Sequence, residues 1–385
     1  MKSAPAPAPL LRSYMPELDS ARGLAILLVL LYHGIAPPVS GELSRSGRVL
    51  LEISRQGWVG VDLFFVLSGF LITGILIDSR NRQDYYRRFY VRRALRILPA
   101  FYASLVVLLI GGWISWRFSL LSVLFLANST PLVGIPMQYG PLWSLAVEEH
   151  FYMLWPAIVR KLAFRGLVLM LATLVAATPM LRAIDFLRTG EPANWVRLYT
   201  WFNLDGLALG ALLAIRMRIP SFGRVQLGRV AMPLLIVGVA IFVLVLGHPF
   251  ADATLSTTAS NIASAGLLSS MLLAGTSRWV ALVDRPFLKF LGFISYGLYL
   301  VHVLAFRFTD MVLSRPFAVL ASTGKPTVAM LVRFAVGSAL AIGVAYLSRR
   351  SLEERFLRLG FASPRTQDGS KKPRNAVERP DVLIR

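Results

Sequence analysis

The chain has 385 residues, of which 56% are hydrophobic and 16% charged, and its mean hydropathy is +0.61. Because soluble domains carry nearer a quarter charged residues, this composition excludes an ordinary soluble protein and indicates an integral membrane protein. The formal net charge of +21 would suggest nucleic-acid binding in a soluble protein, but here the Lys and Arg residues lie between apolar blocks, so the charge indicates membrane topology and no nucleic-acid partner is expected.

Apolar blocks of about 18 to 22 residues recur along the chain, which is the length that crosses a hydrocarbon core. They predict an all-α, polytopic integral membrane protein with about ten transmembrane helices. The predicted helices span residues 18–36, 58–77, 97–115, 142–160, 166–184, 198–216, 230–247, 256–275, 287–306 and 327–347. The apolar stretch 119–128 is too short to span and predicts a re-entrant or interfacial segment.

The distribution of basic residues predicts the topology. With the N-terminus in the cytoplasm and alternating sides, 30 of the 41 Lys and Arg residues fall in cytoplasmic segments and 10 in external ones. This excess follows the positive-inside rule and places both termini in the cytoplasm. We expect one membrane domain over residues 1–350, flexible over residues 1–14, and a basic, disordered cytoplasmic tail over residues 351–385.

The first predicted helix carries two ionisable residues, Arg22 and His33, and such residues within a membrane indicate function. They are eleven residues apart, about 20° past three full turns, so they share a face at about 16 Å along the axis. One groove holding both would suit a long ligand with a phosphate-bearing head at Arg22. The alternative is a snorkelling arginine and an interfacial histidine.

The second predicted helix contains Asp62 and Ser68. Asp62 is expected near the depth of His33, where it would orient the imidazole or bind substrate hydroxyls. A helix cap near the surface is the alternative for Asp62. Ser68 is a candidate substrate-binding residue.

A basic stretch leads into the third predicted helix and contains Arg93 and Arg96, which share a helical face. Because arginine binds phosphate groups bidentately, the pair is a candidate cradle for a nucleotide or diphosphate head. The alternative, which applies to most other basic residues here, is an anchor on anionic lipid.

The fourth predicted helix begins near Trp143, a candidate substrate-binding residue that marks the outer interface, and continues into Glu148 and Glu149. Adjacent carboxylates cannot share a helical face, so we expect Glu148 to point into the site. Two further candidates for substrate binding are Asp205, in the sixth predicted helix, and His302, at the outer end of the ninth.

Five of these side chains are expected to converge on one outward-facing level: His33, Asp62, Glu148, Asp205 and His302. The chain has no cysteine, which excludes disulfides, a thiolate nucleophile and cysteine-ligated metals. Its four histidines show no metal-ligand spacing, so no metal is expected.

Five segments in order resemble the acyltransferase 3 family of bacterial membrane O-acyltransferases, which modify O-antigen, exopolysaccharides, Nod factors and macrolides. The resemblance covers roughly residues 15–350. It rests on the arginine-x10-histidine spacing of Arg22 and His33, and on the segments GVDLFFVLSGFLIT, RRALRILPAFY, LWSLAVEEHFYMLWP and ISYGLYLVH.

The resemblance implies ten core helices in the bacterial inner membrane, an acyl-coenzyme A donor (usually acetyl-CoA) on the cytoplasmic side and an acceptor hydroxyl at the outer face. Arg22 and His33 match the family's functional pair, Arg93 and Arg96 its donor-binding R-x-x-R element, and Glu148 its acidic position. Some members carry an SGNH hydrolase-like domain. Since this chain stops shortly after the tenth helix, we expect it to act alone or to hand the acyl group to a separate protein.

These residues suggest acyl transfer to a hydroxyl of a glycan or lipid-linked carbohydrate, with His33 as general base and Asp62 or Glu148 orienting it. Transient acylation of His33 is left open. A secondary transporter, which also uses intramembrane charges, and a non-catalytic membrane scaffold are the alternative functions.

Overall fold

The structure is a computed structural model that describes residues 12, 15–38, 40–190, 198–273 and 285–361. These residues form α-helices and no β-strand. The helices are α1 (Pro16–Gly34), α2 (Arg45–Ser54), α3 (Val59–Asp78), α4 (Tyr85–Ile110), α5 (Trp116–Val123), α6 (Leu142–Lys161), α7 (Phe164–Thr189), α8 (Leu204–Arg216), α9 (Arg224–Val245), α10 (Pro249–Leu272), α11 (Pro286–Val312), α12 (Ser314–Ser322), α13 (Pro326–Ser348) and α14 (Glu354–Phe361). Short 3-10 helices cover Arg55–Trp58, Ala127–Val133 and Thr200–Phe202, and a π-helical turn covers Arg349–Glu353.

The all-α class is confirmed, and each of the ten predicted segments lies mainly on a helix. Within the described part of the chain, six helical stretches are long and apolar enough to cross a membrane: Arg45–Asp78, Tyr85–Ile110, Phe164–Thr189, Arg224–Val245, Pro286–Val312 and Pro326–Arg358. The number of about ten spans therefore stays a prediction. The stretch 119–128 lies on α5 and the start of the next 3-10 helix, both too short to span.

Several boundaries differ from the sequence prediction. Helix α4 begins at Tyr85, well before the predicted residue 97, because the basic stretch is itself helical. Helix α8 has 13 residues and is shorter than the predicted segment 198–216. Helix α14 lies inside the tail predicted to be disordered, whereas residues 1–11 and 362–385 lie outside the described residues.

Helices α1 and α11 pack unusually closely because each presents a glycine to the other. A Cβ atom at Gly23 would overlap the carbonyl oxygen of Leu288, and one at Gly292 would overlap the carbonyl oxygen of Asp19. Small residues of this kind let membrane helices approach without a hydrophobic driving force between them. This contact holds the two helices side by side along the stretch that ends at His33 and His302.

A buried ion pair connects α7, α8 and α10. Arg182 lies 2.8 Å from Asp205, whose second carboxylate oxygen accepts a hydrogen bond of 2.6 Å from Thr258. The guanidinium also donates to Thr258 and to the carbonyl oxygen of Phe202. Every carboxylate oxygen of Asp205 is thus bonded within the protein, which is how a buried charge is tolerated.

Candidate active site

A cavity of about 310 Å³ lies between α1, α3, α4, α6 and α11. Its lining residues on α3 extend from Val61 to just past the helix end at Ser79, which corresponds to about 27 Å at 1.5 Å per residue. We call the end at Asp78, Ser79 and Arg82 the arginine end, and the end at Ser144 and Tyr299 the tyrosine end. The shape is a long, narrow slot.

The cavity wall is strongly basic. Six arginines line it: Arg22, Arg82, Arg88, Arg92, Arg93 and Arg96. Among the described residues that line it, two carry carboxylates, and one of them, Asp78, already pairs with Arg218 at 2.7 Å. The sequence prediction included Arg22, Arg93 and Arg96. The other three were missed, although the spacing of Arg88, Arg92 and Arg96 by four residues indicates one helical face.

Arg93 lines the cavity with a buried side-chain nitrogen. Its Nε atom is buried and has no hydrogen-bond partner among the described residues, and the carboxylate oxygen Oε1 of Glu149 is 3.7 Å away. The guanidinium stacks over the ring of Tyr152, with its central carbon 3.1 Å from the ring centre. Stacking fixes the orientation of the charge, and a buried N–H without a partner favours an incoming acceptor.

Glu148 is the other carboxylate in the cavity wall, and it lies on the face of α6 that also carries Ser144 and Tyr152. The Tyr152 hydroxyl donates to Glu148 at 2.9 Å and also contacts the hydroxyl of Ser68. Glu149 is not among the residues that line the cavity and lies towards Arg93. The structure therefore brings Glu148 and Ser68 together in the cavity wall through the Tyr152 hydroxyl.

The tyrosine end is closed by side chains of α3, α6 and α11. The hydroxyls of Ser144 and Tyr299 are 2.5 Å apart, and the ring of Phe64 packs edge-on against Tyr299. Tyr299 also lies against a histidine: the ring centres of Tyr299 and His302 are 5.6 Å apart. Ser144 and Tyr299 were not predicted, although Tyr299 and His302 are three residues apart on one helix.

His33 and His302 are in direct contact. Nε2 of His302 lies 3.3 Å from Nδ1 of His33, and the ring centres are 4.8 Å apart. The carbonyl oxygens of His33 and Gly34 accept hydrogen bonds from Arg333, which also pairs with Asp310 at 2.6 Å. This contact satisfies carbonyls at the C-terminal end of α1 and fixes the position of His33.

The single groove expected for Arg22 and His33 is not what the structure contains. Arg22 lines the cavity, 3.2 Å from Asp19, whereas His33 does not line it. His33 contacts His302, which in turn contacts Tyr299 in the cavity wall. His33 is two ring contacts away from the tyrosine end. The pair shares a helix face, as the spacing predicts, but packing from α11 closes the space between them.

Nor do the five predicted side chains meet on one level. The described contacts join His33 to His302, whereas Glu148 bonds to Tyr152 in the cavity wall. Asp205 is fully buried in its pair with Arg182, and Asp62 is 3% exposed on α3 away from the cavity lining. Trp143 packs against the ring of Phe65 at 5.9 Å. Within the described ranges, no group of three His, Asp or Glu residues is arranged to hold a metal ion.

Comparison with known proteins identifies a matching family and several relatives. The profile of a family described as "Acyltransferase domain" matches residues 15–350. The chain is similar to the peptidoglycan O-acetyltransferase OatA of Listeria monocytogenes, with 32% identity over 167 residues that cover 38% of this chain and 24% of the relative. It is also similar to the putative peptidoglycan O-acetyltransferase YrhL of Bacillus subtilis, with 29% identity over 334 residues that cover 75% of this chain and 48% of the relative.

A third relative, the O-acetyltransferase OatA of Staphylococcus aureus, is 29% identical over 230 residues, covering 52% of this chain and 34% of the relative. The chain thus spans less than half the length of these curated relatives. No solved structure matches the sequence. The family match favours an enzyme over the transporter and scaffold alternatives.

Proposed function

The chain belongs to the acyltransferase family whose profile matches residues 15–350, and from that premise we propose that it transfers an acetyl group from acyl-coenzyme A to a hydroxyl of a cell-envelope glycan. Three relatives with names that specify O-acetyl transfer support the acetyl group, and two of those names specify peptidoglycan. The single observation that carries the proposal is the slot lined by six arginines, which ends two ring contacts from His33.

The cavity fits the donor by charge and by length. The nucleotide and diphosphate of coenzyme A are anionic, and guanidinium groups bind phosphate oxygens bidentately. We assign this head to the arginine end and to Arg93, whose buried Nε lacks a partner among the described side chains. The slot of about 27 Å then directs the thioester towards Tyr299.

His33 acts in this proposal as the general base. The acceptor hydroxyl gives its proton to His33 while its oxygen attacks the thioester carbonyl carbon, and the C–S bond breaks as the new C–O ester bond forms. The imidazolium then returns the proton to the coenzyme A sulfur. For the thioester to reach His33, the side chain of Tyr299 at the end of the slot has to move aside.

Glu148 has a supporting role in the cavity wall. Its hydrogen bond from Tyr152 and the contact of that hydroxyl with Ser68 hold one edge of the slot in place next to Arg93. Asp62 lies away from this lining, so we place Glu148 rather than Asp62 beside the donor. The arginine end is assigned to the cytoplasm, where acyl-coenzyme A is made and where the positive-inside rule puts basic residues.

The test is acceptor-dependent release of free coenzyme A from acetyl-CoA by the purified, membrane-reconstituted protein supplied with peptidoglycan fragments. We expect release with the wild type and a loss of about 10²- to 10⁴-fold with His33→Ala. The matched control is His248→Ala, because His248 is exposed and does not line the cavity. Equal activity in His33→Ala and His248→Ala, with donor binding unchanged, would remove His33 from the chemistry.

A further inference from the structure

His302 is a fully buried side chain with both ring nitrogens in polar contact within the protein. Its Nδ1 lies 2.8 Å from the carbonyl oxygen of Tyr299 and 3.2 Å from that of Leu298. A carbonyl oxygen can only accept a hydrogen bond, so the proton of a neutral His302 has to be on Nδ1. Its Nε2 is then an acceptor.

The acceptor nitrogen of His302 determines where the proton of His33 lies. His302 Nε2 is 3.3 Å from Nδ1 of His33, and this same Nδ1 is 3.0 Å from the carbonyl oxygen of Val29. Both partners accept, so Nδ1 of a neutral His33 carries the proton and its Nε2 carries the free lone pair. Two independent contacts, one on α1 and one from α11, therefore select the same tautomer.

We propose that His302 is a positioning residue that holds His33 in the tautomer and orientation in which Nε2 is the base; this rests on the proposed function of His33. In many catalytic sites a carboxylate accepts from the second nitrogen of a histidine base. Here a neutral imidazole, bonded to the main chain of its own helix, does so.

The proton balance of this arrangement involves His33 alone. During attack, Nε2 of His33 takes the proton of the acceptor hydroxyl, and Nδ1 keeps its own proton and continues to donate to His302. That hydrogen bond becomes charge-assisted in the imidazolium, so it is stronger in the transition state than before. No proton passes to His302. Both ring nitrogens of His302 already have hydrogen-bond partners within the protein. Its proposed role is therefore to position His33, whereas the sequence predicted that it binds substrate.

The close packing of α1 and α11 holds the two histidines next to each other. Gly23 and Gly292 bring the two main chains together, and His33 and His302 each lie ten residues further along the same helix. Arg333 fixes the carbonyls of His33 and Gly34 from α13. The imidazole of His33 is thus oriented by groups from three helices.

The first test is nitrogen-15 NMR of the histidine-labelled, reconstituted protein, in which only four histidines contribute signals. Each signal is assigned by replacing one histidine at a time. We expect both His33 and His302 to be neutral with the proton on Nδ1 at a pH above their titration. A wild-type spectrum in which His33 carries its proton on Nε2 would overturn the proposal, whether or not the protein transfers acetyl groups.

The second test compares two replacements of His302. His302→Phe keeps a ring but has no acceptor, and we expect kcat to fall by at least about tenfold while the KM for acetyl-CoA stays within about twofold. His302→Gln supplies an amide oxygen for Nδ1 of His33 and is expected to restore most of the rate. Thermal unfolding and donor binding are measured on both variants.

A purely structural role of His302 predicts a different pattern. Both variants would then lose stability and donor binding together, and the glutamine would give no advantage over the phenylalanine. Full activity in His302→Phe would equally refute the proposal. If the NMR signature is present but no variant or wild type transfers acetyl groups, the proposed function fails while the histidine pair itself stands.

Discussion

Replacing Arg93 by glutamine tests the donor site most sharply, because the structure gives both the sign and the size of the effect. The Arg93 Nε is buried without a hydrogen-bond partner in the described chain, and the side chain is 18% exposed. A hydrogen bond to a charged group contributes about 1.5–3 kcal/mol, and each 1.4 kcal/mol is a factor of ten. We therefore expect Arg93→Gln to weaken binding of acetyl-CoA by about 10- to 100-fold.

The assay is equilibrium binding of a non-hydrolysable acetyl-CoA analogue to the reconstituted protein, by calorimetry at several salt concentrations. The matched control is Arg165→Gln, since Arg165 is exposed near the start of α7 and does not line the cavity. A second variant is expected to change the affinity for the donor in the opposite direction. Glu149→Gln removes the carboxylate 3.7 Å from Arg93, so we expect donor binding to become tighter by a few-fold.

Two results would refute this reasoning. If Arg93→Gln binds the analogue as tightly as the wild type, the Nε of Arg93 does not contact the donor. If Arg165→Gln loses as much affinity as Arg93→Gln, the arginines act through the overall positive charge of the protein, and the slot is not a specific donor site.

Other regions of the structure give further expectations. Gly23→Val should lower the unfolding temperature in detergent because its side chain would overlap the main chain of α11. Gly166→Ala should leave the temperature unchanged, because its added Cβ would make only an ordinary contact with Leu162 at 3.9 Å. Arg182→Met should destabilise the fold by about 3–5 kcal/mol by leaving the Asp205 carboxylate buried without its partner, and adding Asp205→Leu should recover most of that loss in the same unfolding assay. If Arg182→Met alone leaves the unfolding temperature unchanged, Asp205 is not held by this pair. Tyr299→Ala should open the end of the slot and raise hydrolysis of acetyl-CoA without acceptor, measured as free thiol release; an unchanged rate would contradict the closure described at the tyrosine end.

The helical architecture was predictable because long apolar runs have few alternatives in a membrane. The start of α4 was not predictable from hydropathy, because the basic stretch 85–96 is too polar to be counted as part of an apolar block. Arginine is nevertheless a good helix former, and packing of Tyr85 and Phe89 in the core extends the helix through this stretch. The extension is what brings Arg88 and Arg92 to the cavity.

The residues of the candidate donor site could be predicted from helical spacing, because spacing is a property of a single helix. Arg93 and Arg96 share a face, and Glu148 rather than Glu149 lines the cavity. The contact of His33 with His302 depends on how α1 meets α11, and nothing in the spacing along either helix specifies it. For Asp205, the intramembrane carboxylate alone suggested substrate binding, and spacing within one helix could not reveal its ion pair with Arg182 on another helix.

The most direct test of the central claim uses acetyl-CoA labelled with carbon-13 in its acetyl group, presented with peptidoglycan fragments to the reconstituted protein. Mass spectrometry of the glycan then follows the label. We predict one labelled acetyl ester on a glycan hydroxyl with the wild type, a yield lower by about 10²- to 10⁴-fold with His33→Ala, and a normal yield with His248→Ala. A labelled glycan formed equally well by His33→Ala, or free labelled acetate with no labelled glycan from the wild type, would contradict acetyl transfer through His33.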